Sequence, residues 1–246
     1  MTAKPYWGIL IVESQEPLVP MPQDAFIYAN PHPYVALGAP YGNASPFFLR
    51  EGVLNALVKA QQLLQSQQPH WRLFIFDAYR PVTVQKFMVE LTFSELLNTR
   101  KLDRSSLSPA TMDELWAEVY QFWAPPNLDP KTPPPHSTGA AVDLTLFDTQ
   151  TQEIVFMGSP IDEVSVRSHP NHFGNLVLDA SASEADRETA NLAHQNRQTL
   201  HQVMEQAGFL RHPGEWWHFS LGDQLWAWLC QQGSSQPKTA QYGRVE

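Results

Sequence analysis

The sequence predicts an α+β fold. Its helical patterns are grouped, its later strand-like runs are joined by short turns as in hairpins, and no regular strand–helix alternation marks a parallel sheet. Residues 1–50 are rich in proline and aromatic residues, with turn signals at "NPHP" and "GAPYGN", and read as an ordered but irregular arm. In "EGVLNALVKAQQLLQSQQ" (51–68) Val53, Leu57, Ala60 and Leu64 share one face, which makes an amphipathic helix. "WRLFIFD" (71–77) is a short buried strand. A second helix begins at Pro81, where a missing N–H costs nothing. A third, in "TMDELWAEVYQFW", has a capping-box start with Thr111 and Glu114.

"APPNLDPKTPPP" holds six prolines in twelve residues, so it is neither helix nor central strand and reads as a stiff surface loop. "AAVDLTLFD" and "EIVFMGS" flank "TQTQ" and form a hairpin. Residues 183–207 form a long helix closed by Gly208. "EWWHFSL" is a strand entered from the turn "HPG". The whole chain, 1–246, reads as a single catalytic domain without internal repeats, with residues 233–246 as a flexible tail.

Composition narrows the function. The 246 residues carry 43% hydrophobic and 17% charged residues, which suits a globular protein with a sizeable core. Sixteen Lys and Arg against 25 Asp and Glu give a net charge of −9, which disfavours nucleic acid or an anionic membrane as partner. The single Cys230 allows no intrachain disulfide and reads as a buried small hydrophobe. No stretch resembles a leader or a membrane span, so the cytoplasm is the expected location.

Three segments carry candidate chemistry. In "HSTGAAVD", His136 and Asp143 are seven residues apart. That spacing is wrong for a helical metal motif but suits a histidine on a turn and an aspartate in the following strand, with Gly139 bending the chain between them. "EWWH" offers Glu215 and His218. Residues i and i+3 of a flat strand face opposite ways, so Glu215 must sit on the turn or at a bulge to share a site with His218. Catalytic zinc takes three protein ligands plus water, and a nearby carboxylate can move the water's proton. His136, Asp143 and His218 fit the ligands and Glu215 the base. "FDAYRP" places Arg80 at a strand end, either as an oxyanion stabiliser oriented by Asp77 or as half of a structural Asp–Arg pair. On these residues alone a zinc site and a plain turn leading into a strand both stay open. The other histidines read as peripheral: His169 and His172 in a loop, His194 and His201 solvated on a helix, and His32, His70 and His212 in turns.

Taken together and in order, "FDAYRP", "HSTGAAVDLTL", "MGSPIDEVSVRSH" and "EWWH" resemble the VanX-like D-alanyl-D-alanine dipeptidases over about residues 34–219. The resemblance implies a hedgehog/D,D-peptidase-like fold: a central, mostly antiparallel sheet flanked by helices. It implies one zinc ion per chain on His136, Asp143 and His218, with Glu215 as general base for the attack of zinc-bound water. Arg80 would stabilise the tetrahedral intermediate. Asp162 would receive the substrate's amino terminus, assisted by Tyr34, and Phe87 and Met88 would lie near the pocket. The implied partner is a small D,D-dipeptide. A D,D-carboxypeptidase or L-alanyl-D-glutamate peptidase acting on peptidoglycan, and an inert zinc-binding relative, share the fold. The family usually has serine where Pro134 stands here.

Overall fold

The computed structural model describes residues 4–233 and 238–245. Strands β1 (Leu18–Pro20) and β2 (Ile27–Tyr28) are followed by the short helix α1 (Pro33–Ala36) and by β3 (Phe48–Arg50), which pairs antiparallel with β1. The arm expected to be irregular thus carries short regular pieces. Helix α2 (Glu51–Gln67) leads to β4 (Trp71–Asp77), α3 (Val82–Arg100) and α4 (Pro109–Phe122). Beyond the proline loop come β5 (Ala141–Asp148), β6 (Glu153–Ile154), α5 (His172–Leu178), α6 (Glu184–Gln206), β7 (Leu210–Arg211), β8 (His218–Ser220) and α7 (Gln224–Gln232).

The main sheet runs β2-β4-β5-β8-β7, with β6 pairing β5. Every pairing in it is antiparallel except β2 with β4. Alternation along β5 separates its two faces. Val142, Leu144 and Leu146 join Leu73 and Ile75 of β4 in the main core, against Leu57 and Leu64 of α2 and Leu200 and Val203 of α6. Asp143, Thr145 and Phe147 therefore point the other way, and that second face carries the site. Helices α3 and α4 pack on each other through Val89, Phe93, Leu97, Leu115 and Val119. Among the described residues no helix is long and apolar enough to cross a membrane.

Several boundaries differ from expectation, each for a local reason. Helix α4 starts a turn earlier: Pro109 occupies its first position, and the Ser108 hydroxyl accepts the Thr111 N–H at 3.1 Å, so Ser108 rather than Thr111 is the cap. Pro81 immediately precedes α3 instead of starting it. Strand β6 is only two residues long because α6 captures the chain beyond it: Asn196 donates to the Phe156 carbonyl at 2.8 Å and Arg197 to that of Met157 at 2.7 Å. The "LWAWLC" tail is helix α7, capped by Asp223, which accepts the Trp226 N–H at 2.8 Å. His194 and His201 are half-buried on α6 rather than solvated.

The tail expected to be flexible over 233–246 is docked where it is described. Ala240 and Tyr242 are buried, Ile11 and Ala240 form a parallel bridge, and the Val245 N–H donates to the Ser137 carbonyl at 2.9 Å. Buried Arg50 ties these pieces together, donating to the carbonyls of Thr138 at 2.9 Å and Gly243 at 3.1 Å. Residues 234–237 and 246 of that segment lie outside the described residues.

Gly139 closes the 3-10 turn Pro135–Thr138 with φ +69°, and a β-carbon there would lie 2.4 Å from Leu18 Cδ1. Gly139→Ala is expected to lower stability by about 1–3 kcal/mol, through left-handed strain and the clash together. Urea unfolding of the two proteins measures it.

Candidate metal centre and active-site cleft

Sheet register assembles the polar row of the site. Asp143 of β5 stands opposite His218 of β8 on one side and Asp77 of β4 on the other. The Asp77 pairing depends on a bulge: Ile75 pairs with Leu144, and the register then shifts so that Asp77 meets Asp143. Without that extra residue Asp77 would follow Ile75 onto the core face. Directly opposed residues share a face, so the three polar groups lie side by side across three strands.

His136 reaches the row from the 3-10 turn before β5. Its Nδ1 lies 2.7 Å from the Ala78 carbonyl, which marks Nδ1 as the protonated nitrogen and leaves Nε2 a lone pair. That Nε2 is 3.2 Å from His218 Nδ1 and 3.2 Å from an Asp143 oxygen, and His218 Nδ1 is 3.0 Å from the other Asp143 oxygen. On the far side of its ring, His218 Nε2 faces the Ser220 hydroxyl at 3.4 Å, and Ser220 donates to Asp223 at 2.8 Å. Two nitrogens and a carboxylate thus converge on one point with their outer sides held by the protein. Tetrahedral zinc with ligands at about 2.0–2.1 Å places those ligands about 3.3 Å apart, so the observed separations fit the ion. Burial works to raise the Asp143 carboxyl, but the His136 and His218 rings outweigh it and hold the group well below the ordinary carboxylate range.

Glu215 lies between the Pro213–Gly214 turn and β8, so it can face the same point as His218, as its spacing requires. Its carboxylate is 3.9 Å from His218 Nδ1 and 3.9 Å from His212 Nδ1. Burial pushes its pKa up to about 7, with the His218 ring pulling the other way. A cation on the ligand trio adds to that downward pull and favours the proton-accepting form.

Arg80 is 5% exposed and held from several sides. Its Nε donates to Asp77 at 2.8 Å, Nη1 to Gln85 at 2.9 Å, and Nη2 to the Tyr34 hydroxyl and to Asp143, both at 3.2 Å. Of the five N–H donors of a guanidinium, these bonds leave one on Nη1 for the cleft that Arg80 lines. Tyr34 is buried and donates to Asp162 at 2.7 Å, so it steadies both Arg80 and Asp162 without lining the cleft.

Asp162 has a left-handed backbone (φ 62°) and a solvent-exposed position at the cleft, with its carboxylate turned to Tyr34. The loop bearing it is fastened to α6 by buried Arg197, which donates to the carbonyls of Met157 at 2.7 Å and His169 at 3.2 Å and to the Ser159 hydroxyl at 2.9 Å. The cleft has a volume of about 200 Å³. That is below the roughly 300–1,000 Å³ of sites for drug-sized ligands, and it suits something as small as a dipeptide.

The structure brings together His136, Asp143, His218, Glu215, Arg80 and Asp162. It does not bring Phe87 and Met88 into the cleft lining: on α3 both pack with Tyr34, Tyr41 and Val84 in an apolar cluster behind the site. Sequence reasoning missed His32 and His212, reading both as turn residues. His32 Nε2 is 3.1 Å from Asp77, and His212 lines the cleft beside Glu215. The proximity of His212 to "EWWH" was a usable signal. Arg197, 35 residues from Asp162, gave none.

The chain is similar to known proteins along most of its length. The family model described as D-ala-D-ala dipeptidase matches residues 28–238. A D-alanyl-D-alanine dipeptidase of Synechocystis sp. is 47% identical over 244 residues, covering 99% of this chain and 97% of that protein. One of Enterococcus faecium is 33% identical over 171 residues, covering 69% and 70%. Among solved structures, a mutant of the vancomycin-resistance D,D-pentapeptidase VanY in complex with Zn(II) is similar at a TM-score of 0.42 and 13% identity, covering 93% and 95%.

Metal binding by the trio is testable without an activity assay. Zinc at a thousandfold excess over its Kd is expected to stabilise the folded chain by about 4 kcal/mol, on the order of 10 °C in Tm. The increment disappears in His218→Ala. A thermal melt with and without zinc checks both statements, and an equal shift in the variant refutes the assignment.

Proposed function

The chain belongs to the D-ala-D-ala dipeptidase family, and from that premise we propose that it hydrolyses the free dipeptide D-Ala-D-Ala to two D-alanines with one zinc ion per chain. The observation that carries this reading is the convergence of His136 Nε2, Asp143 and His218 Nδ1 beside Glu215 in a cleft of about 200 Å³. Zinc, when bound there, supplies a Lewis acid that acidifies water and polarises a carbonyl.

The remaining work falls to side chains. Glu215 takes the proton from the attacking water and returns it to the departing amine nitrogen, a role suited to a carboxyl whose burial has raised its affinity for protons. Arg80 points its remaining Nη1–H at the oxygen that becomes negative as the carbonyl carbon turns tetrahedral. Because its other donors are already bonded, it needs no reorganisation as that charge develops. Asp162 pairs with the substrate ammonium, held in place by the Tyr34 hydroxyl. Phe87 and Met88 act one layer further out, by packing Tyr34 in position.

The free ammonium separates this reading from an enzyme of the same fold that trims peptidoglycan stems, where the corresponding nitrogen is acylated. Asp162 favours the free dipeptide, because an acylated nitrogen leaves its carboxylate without a cationic partner.

Glu215→Ala is expected to retain about one zinc per chain while kcat falls by roughly 10²–10⁴-fold. Metal analysis and a D-alanine release assay on one preparation test this, and an active variant removes Glu215 from the role. The parent chain is expected to cleave D-Ala-D-Ala at least ~10²-fold better than its N-acetyl derivative, and Asp162→Asn to narrow that gap. Preference for the acetylated substrate overturns the dipeptidase reading.

A further inference from the structure

Two hydrogen-bond donors in the cleft have no part in the scheme above. Lys4 and Tyr6, from the N-terminal arm, both line it. Tyr6 is 6% exposed, yet its hydroxyl has no hydrogen-bond partner among the described residues. Lys4 is half-buried, and its ammonium has neither an ion pair nor a hydrogen bond among them. The arm is not a loose end. The Trp7 N–H donates to the Lys4 carbonyl and that of Ile9 to the Tyr6 carbonyl, both at 3.1 Å, and Gln224 donates to the Ile9 carbonyl at 2.7 Å.

Their position relative to Asp162 gives them a purpose. A path of hydrogen bonds runs from Asp162 through Tyr34, Arg80 and Asp143 to His218, and the His212 ring follows with its centre 5.5 Å from that of His218. Lys4 and Tyr6 line the cleft together with His212 and Glu215. Asp162 and the Lys4–Tyr6 pair line one cleft with His136, Asp143 and His218, and neither Lys4 nor Tyr6 belongs to that path. A zwitterionic dipeptide with its ammonium on Asp162 and its amide at the metal leaves its carboxylate to the uncommitted donors of the cleft, Lys4 and Tyr6.

That carboxylate needs a cation. The chain carries a net charge of −9, and Asp143, Asp162, Glu163 and Glu215 all line the cleft. The lysines and arginines lining it are Arg80 and Lys4, and Arg80 is committed to Asp77 and Asp143. We propose that the Lys4 ammonium and the Tyr6 hydroxyl bind the C-terminal carboxylate of the substrate, and so select peptides that end one residue beyond the scissile bond. The inference rests on the dipeptidase reading and adds specificity residues to it.

The test compares kcat/KM for D-Ala-D-Ala and for its C-terminal amide, in the zinc-loaded parent chain and in Lys4→Met, which keeps the aliphatic stem. The parent is expected to favour the free acid by roughly tenfold or more, as for a hydrogen bond to a charged group. Lys4→Met abolishes that preference by slowing the acid, while the amide changes less than about twofold; Lys4→Arg restores part of it, and Tyr6→Phe reduces it less. A variant that slows acid and amide equally, or that keeps the parent's ratio, overturns the role of Lys4 and leaves the dipeptidase reading intact. A parent chain that cleaves neither compound overturns the dipeptidase reading, and the arm's role with it.

Discussion

The site is organised around one buried charge, the Asp77 carboxylate. It has no solvent exposure, and an unpaired ion in such a place would cost several kcal/mol. Its oxygens instead receive Arg80 Nε at 2.8 Å, His32 Nε2 at 3.1 Å and the Tyr41 hydroxyl at 3.1 Å. Burial alone would raise its pKa, but Arg80 and His32 outweigh that and keep the group ionised. The same Arg80 reaches Asp143, so the carboxylate that compensates the guanidinium also sets the orientation of a candidate metal ligand. The chain after Asp77 serves the site as well: the Ala78 carbonyl fixes the tautomer of His136, and the Arg80 N–H donates to the His136 carbonyl at 3.2 Å. The bulge that turns Asp77 towards Asp143 is therefore a condition of the candidate metal centre, although Asp77 is not one of its three candidate ligands.

Electrostatics divides the cleft by function. At the centre, two imidazole nitrogens and a carboxylate face one another at 3.0–3.2 Å, an arrangement that can hold a metal ion. Asp162 and Lys4 both line the cleft and bring charges of opposite sign to it. A protein of net charge −9 would on average repel a free carboxylate, so the proposed binding of a zwitterion depends on the positive charge that Lys4 brings to the cleft. The two termini of a dipeptide are its most distinctive features, since its side chains are methyl groups. On the dipeptidase reading proposed above, a small cleft that carries both signs of charge reads those features and little else.

What was legible in the sequence follows from what is local. Periodicity gave α2, β4 and α6 to within a residue or two, because their apolar faces repeat over many residues against one core. That His136 and Glu215 meet the strand residues was legible because Gly139 and the "HPG" turn mark where the chain must bend, whereas their reading as a metal site came from the resemblance. The bulge in β4 was not, since "WRLFIFD" alternates as any buried strand does and the extra residue shows only against β5. His32 looked like one more residue in a proline-rich turn, and its partner Asp77 is 45 positions away. Strand β7 is two residues long, too short to show a period. The docked C-terminal segment was missed because its hold is a buried tyrosine and a few backbone bonds to Arg50 and Ser137, none of which repeats. Phe87 and Met88 were placed at the pocket by resemblance alone, and their side chains support Tyr34 from behind instead.

The seven-residue gap between His136 and Asp143 follows from this construction. A helical motif sets two ligands on one face by its own hydrogen bonds and needs little from the rest of the fold. Here His136 ends on a 3-10 turn, Gly139 reverses the chain in a left-handed conformation, and Asp143 is the third residue of the strand that follows. Such a turn would be loose by itself. It is made rigid by Arg50 on the Thr138 carbonyl, by the Val245 N–H on the Ser137 carbonyl and by Leu18 packed where a larger residue at 139 would intrude. Two of those three supports come from the first fifty residues and the third from the last nine. The arm and the C-terminal segment therefore belong to the candidate metal site in a mechanical sense, and the arm also lines the cleft through Lys4 and Tyr6.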